Sequence, residues 1–203
     1  MARAPYSAAE LRADAAIHAL GVGFAIGAAA WLWSHASGLA LVVYGLGLVA
    51  TLTASAAYNL HHGAYKEWLR RIDHAMIFIM IAGTYTPFVV LRLPAGPALW
   101  LGGLVWCGAI LGVVLKLLFP RRFERMSLAL YLGLGWAVVA AFDPLMGAVA
   151  RSTFDLLVLG GILYTAGVPL CLMERLPFHN ALWHAFVLAG AICHFIAVSS
   201  EFA

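Results

Sequence analysis

Polar positions along this chain fall mainly in short intervals between seven apolar stretches. These are 19–33 (ALGVGFAIGAAAWLW), 39–58 (LALVVYGLGLVATLTASAAY), 75–91 (AMIFIMIAGTYTPFVVL), 97–115 (PALWLGGLVWCGAILGVVL), 128–142 (LALYLGLGWAVVAAF), 156–173 (LLVLGGILYTAGVPLCLM) and 181–198 (ALWHAFVLAGAICHFIAV). A helix that spans a bilayer needs roughly 20 mostly apolar residues. Each stretch reaches or approaches that length, and the first and fifth need their flanks. The pattern predicts helices over 15–34, 38–60, 72–92, 97–118, 126–143, 154–174 and 180–200. Membrane β-strands alternate apolar and polar over about 10 residues. These runs are instead continuous and rich in Gly and Ala, which suits close helix packing in lipid. The expected fold is all-α, a single membrane domain built as a seven-transmembrane helix bundle.

Composition strengthens this reading. Of 203 residues, 64% are hydrophobic and 10% are charged, whereas a soluble domain carries about 25% charged residues. No separate soluble domain and no nucleic-acid partner are expected. Residues 1–14 are mixed polar and the first apolar run lacks a small-residue cleavage site, so no cleaved leader is predicted. Cys107, Cys171 and Cys193 all lie in apolar runs and read as packing residues. Charge distribution then orients the chain. With the N-terminus inside, the cytoplasmic segments carry Arg3, Arg12, Lys66, Arg70, Arg71, Lys116, Arg121, Arg122, Arg125 and Arg175, ten of the 12 Lys and Arg. Arg92 and Arg151 remain outside. The positive-inside rule therefore predicts a cytoplasmic N-terminus and an external C-terminus. The basic clusters chiefly fix topology, and they could also meet anionic lipid head groups.

In that orientation the unusual polar residues share one depth, the inner leaflet. The second helix ends there with Ser55, Asn59, His61 and His62. The third begins there with Asp73 and His74, the seventh with His179, Asn180 and His184, and the first with Asp14 and His18. Ser55, Asn59 and His62 recur at i, i+4 and i+7, one helical stripe, and Asn180 and His184 form another. Ionisable side chains inside a membrane usually face the bundle interior or a cavity. The expected pocket comprises Ser55, Asn59, Asp73, Asn180, His184 and His18. Blander readings stand beside it. Asp73 could be a helix N-cap, Ser55 could bond its own helix, and His61 and His62 could be interfacial loop residues. His184 and His194 could be satisfied core histidines. Pro87 is expected to kink or end the third helix.

The strings SAAY (55–58), LRRIDHAMIFIMIAGTYTPF (69–88), YLGLGW (131–136) and HNALWHAFVLAGAICHF (179–195) resemble the hemolysin III family, the bacterial branch of the progestin and adipoQ receptor superfamily. The resemblance covers essentially the whole chain. It implies a multi-pass protein of the bacterial inner membrane with a cytoplasmic N-terminus. It also implies zinc bound by Ser-x-x-x-His in the second helix, an Asp in the third and His-x-x-x-His in the seventh, with Asp73 holding a water. Ser55, Asp73 and His184 match that pattern, whereas Asn59 and Asn180 stand where it has histidine. A carboxamide oxygen is a poor zinc ligand beside imidazole, while two facing Asn can form a metal-free network. Alternatively, His62, His179 and His184 form a displaced metal triad if the seventh helix starts late or unwinds.

Two functions are expected to compete. One is a sensor that binds a lipid or fatty-acyl ligand in the inner leaflet and needs no metal. The other is a zinc-dependent hydrolase of lipid amides, ceramidase-like, with Asp73 as the catalytic proton-handling group. A pore-forming cytolysin ranks lower, because the outer halves of the helices are too apolar. No clear inverted repeat supports a transporter.

Overall fold

The computed structural model describes residues 6–119 and 121–203. Arg3 lies outside the described residues, as does the side chain of Arg125. Among the described residues, seven helical spans are long and apolar enough to cross a membrane. They comprise α1 (Ala8–His35), α2 (Leu39–Leu60), α3 (Lys66–Leu91), α4 (Ala95–Leu118), a composite fifth span, α7 (Arg151–Leu172) and α8 (His179–Phe202). The fifth span runs through α5 (Glu124–Gly135), a 3-10 segment (Ala137–Ala141) and the short helix α6 (Phe142–Met146).

The helix starts differ from the sequence expectation for local reasons. α1 begins at Ala8 because Ser7 and Glu10 form a capping box: Ser7 Oγ accepts from Glu10 N–H and Glu10 Oε2 accepts from Ser7 N–H at 2.8 Å. α3 begins at Lys66, since the charged turn Lys66–Arg71 winds as helix although it is not apolar. Asp73 therefore sits two turns inside α3 and is not its N-cap. Pro87 is buried within α3, which continues to Leu91. Neighbouring hydroxyls bond along this stretch, Thr84 to Met80 O and Thr86 to Ala82 O. Side chains of this kind make proline tolerable in a membrane helix. The fifth span breaks after Gly135, and Tyr85 repairs the break. Its hydroxyl donates to Gly135 O and accepts from Val138 N–H, both at 2.9 Å.

Interhelical bonds identify the two ends of the bundle. At the near end, Tyr6 pairs with His179 at 3.0 Å and Phe178 N–H donates to Glu10. There too Arg70 and Arg121 bridge the start of α3 to the α4–α5 turn through Glu67 and Glu124. At the far end, Glu201 accepts from Arg92, Thr153 and Ala150 N–H. Neighbours pack in the order α4, α3, α2, α1, α8, α7, with the fifth span against α3 and α4. Two apolar clusters hold the ring. One joins α1, α2, α3, α6, α7 and α8 around Leu32, Tyr44 and Val198. The other joins α3, α4 and the fifth span around Phe78 and Val105. Small residues allow close crossings: Gly47 and Gly83 face backbone across α2 and α3, and Gly160 faces Gly190 O across α7 and α8.

Candidate functional site

Polar side chains from α1, α2, α3 and α8 converge toward the near end. Asp14 and His18 lie one turn apart on α1 and are both buried. His18 Nδ1 lies 2.8 Å from Asp14 O, and His184 Nδ1 lies 3.0 Å from Asp14 Oδ1. Both partners are acceptors, so each Nδ1 carries the proton and each Nε2 is left with its lone pair. Ser55 Oγ sits 3.4 Å from His18 Nε2, and the two imidazoles meet edge to face with centroids 4.3 Å apart. Asp73, 8% exposed, lies beside Ser55 and lines the same cavity as His184.

Above this group, toward the helix ends, the two asparagines engage each other. Asn180 Nδ2 donates to Asn59 Oδ1 at 3.2 Å, and Asn59 Nδ2 donates to Ser55 O at 2.9 Å. Lys66 caps the end of α2 through Tyr58 O and Asn59 O.

Below it lies a cavity of about 340 Å³. His18, Ser55, Asp73 and His184 line one side of its polar end. His74, Lys116, Glu124 and Tyr131 line the other. The walls are otherwise mostly apolar, with Leu128 and Leu132 of α5 facing Val168 and Leu172 of α7. The fifth span and α7 are tied across this space by Trp136 Nε1 donating to Thr165 Oγ1 at 3.0 Å. A second cavity of about 70 Å³ adjoins it at Tyr85, Trp136 and His194 and leads toward Phe154 and Leu157. Such a shape, apolar along its length and polar at one end, is that of an amphiphile site.

Ser55, Asp73, His184 and His18 thus line one cavity wall, while Asn59 and Asn180 bond to each other beside it. His62 is exposed beyond the end of α2. His179 is the first residue of a regular α8 and contacts Tyr6, so α8 neither starts late nor unwinds there. The displaced triad His62, His179 and His184 is therefore not assembled in this structure. His194 Nε2–H donates to Leu157 O at 3.1 Å, a satisfied interior histidine.

The zinc site implied by the family pattern can be tested on its donors. Asn59 presents an oxygen already held by Asn180 and a nitrogen already donating to Ser55 O, so those positions do not fit a zinc ligand set. A different set is present. Asp14, His18 and His184 offer ligand atoms that all lie within 4.8 Å of one another, the one such group among the described residues. Two imidazoles and a carboxylate match catalytic zinc sites that keep an open position.

Sequence reasoning placed Asp14 at this depth without including it in the pocket, and the i, i+4 spacing of Asp14 and His18 was the available signal. Lys116 and Glu124 were also missed, because loop charges at helix ends already had an explanation in topology.

A family model described as Haemolysin-III related matches residues 12–195. The chain is 37% identical over 195 residues to Hemolysin-3 of Bacillus cereus, covering 92% of this chain and 89% of that protein. It is 35% identical over 194 residues to the Hemolysin-3 homolog of Bacillus subtilis (strain 168), covering 92% and 91%. At 27% identity over 167 residues it is similar to the human Monocyte to macrophage differentiation factor, covering 77% of this chain and 67% of that protein.

Proposed function

The chain belongs to the haemolysin-III-related family of integral membrane proteins, and from that premise we propose that it binds a single-chain lipid or fatty-acyl ligand and senses membrane lipid state. The observation that carries this reading is the cavity itself: about 340 Å³, mostly apolar along α5 and α7, with its Asp, Glu and Lys side chains gathered at the near end. An acyl chain fits the apolar length because lipid tails and Leu or Val side chains are equivalent solvents for it. A head group fits the polar end, where Ser55, Asp73 and the two imidazoles offer donors and acceptors. The near end is assigned to the cytoplasmic side of the bacterial inner membrane, since ten of 12 basic residues belong there. No metal is required.

Native mass spectrometry of the purified protein with oleyl alcohol tests the binding. The expected result is saturable 1:1 adduct formation that Val168→Trp, which places an indole in the cavity, abolishes. Equal adduct levels in both proteins would exclude the cavity as the binding place.

A second reading, a metal-dependent lipid-amide hydrolase, is favoured by one observation: Asp14, His18 and His184 form a metal-competent set on the cavity wall. Zinc bound there supplies Lewis acidity. Asp73 and Ser55 line the same cavity as His18 and His184, and on this reading Asp73 would hold a water and accept its proton.

A further inference from the structure

The polar end of the cavity has a second side that neither reading uses. Lys116, in the last turn of α4, is 6% exposed and lines the cavity. It has no hydrogen-bond or ion-pair partner among the described residues. Its neighbours are already committed. Glu124 accepts from Arg70 at 3.1 Å, and Arg70 also binds Glu67, which in turn holds Arg121 at 2.8 Å. Tyr131 donates to His74 O. The carboxylates Glu67 and Glu124 are shared among four cations, Arg70, Arg71, Arg121 and Lys116, and Glu124 acts on Lys116 only through space while bonded to Arg70.

A buried ammonium whose neighbouring carboxylate, Glu124, is already bonded to Arg70 is costly to desolvate. Intramembrane ionisable residues generally mark a ligand or ion path. On the opposite side of the same cavity, Asp73 repels an anion, with Asp14 behind the His18–His184 wall, so a negative head group is directed toward Lys116. The apolar lining that continues from Leu128 and Leu132 receives the chain. The volume, about 340 Å³, lies at the small end of ligand pockets, which run to about 1,000 Å³, and suits one chain better than two.

We propose that Lys116 is the counter-charge of an anionic head group, a carboxylate or phosphate monoester, on the single-chain amphiphile bound in this cavity. This inference rests on the acyl-binding reading and adds charge selectivity to it. A charge-assisted bond in a partly desolvated site shifts affinity by about tenfold or more.

Native mass spectrometry of the full chain at neutral pH, incubated with equimolar oleic acid and oleyl alcohol, tests this. A parallel incubation uses oleoyl lysophosphatidate and oleyl alcohol. Wild type is expected to retain an anionic lipid over the alcohol by about tenfold, and the pair of incubations tells which anion is preferred. Lys116→Met should lose that preference while keeping alcohol binding, and Lys116→Arg should keep it. Equal retention of acid, phosphate and alcohol by wild type, or a preference that survives in Lys116→Met, overturns the charge subsite and leaves acyl binding standing. Retention of none of the three overturns both.

Discussion

Asp14 is the residue on which the site turns. One carboxylate fixes the tautomer of His184 directly, and its own backbone carbonyl fixes that of His18. The two rings meet edge to face with centroids 4.3 Å apart, beside that carboxylate. The hydrolase reading therefore makes a residue-level prediction. Isothermal titration of metal-stripped protein with Zn²⁺ should give one site, lost in Asp14→Asn and in the double variant His18→Ala with His184→Ala. Binding should weaken as the medium is acidified, because protons compete for the same nitrogens. Asn59→Ala should leave the zinc affinity within about threefold, since Asn59 is held by Asn180 and Ser55 O. Absence of saturable zinc uptake in wild type contradicts this reading and leaves the acyl-binding one intact.

At the scale of elements, the near end carries chemistry and the far end carries closure. Glu201 joins α8 to α3 through Arg92 and to α7 through Thr153 and Ala150 N–H. The Glu201 side chain is 8% exposed, and Thr153 is fully buried. Glu201→Ala strands a buried hydroxyl and a backbone donor and should cost about 2 kcal/mol. Asp155→Ala removes an exposed ion pair with Arg151 and should cost under about 0.5 kcal/mol. Thermal unfolding in detergent measures both; equal effects would show that the Glu201 junction does not hold the far end together. The seven spans were legible in the sequence because their apolar runs are continuous. The break in the fifth span was not, since it depends on Tyr85 of α3 satisfying the backbone at Gly135 and Val138. The wall formed by Ser55, Asp73 and His184 was legible through depth and stripe spacing. The neighbour of each histidine was not, because spacing along one helix does not say which other helix lies across from it. Lys116 and Glu201 stayed hidden for a related reason: a charge at a helix end has a ready explanation in topology.

On the whole-molecule scale, the bundle is a ring of helices whose polar residues concentrate at one end of an apolar cavity. Orientation decides which leaflet that end serves. Alkaline phosphatase fused after Ala203 should be active, and the same reporter fused in the α2–α3 turn at Gly63 inactive; the reverse result would place the site at the external leaflet. The fifth span and α7 meet at Trp136–Thr165 and at Phe142–Phe154, and residues of both line the cavity on its near side and carry the ligand's expected contacts. Photo-crosslinking with a diazirine-bearing acyl probe, followed by peptide mapping, reads those contacts directly. The account predicts adducts within 128–136 and 161–172, the facing walls of α5 and α7, and competition by unlabelled lipid. Adducts confined to outward-facing positions such as Leu99, Leu104 and Ile110, without competition, would contradict it.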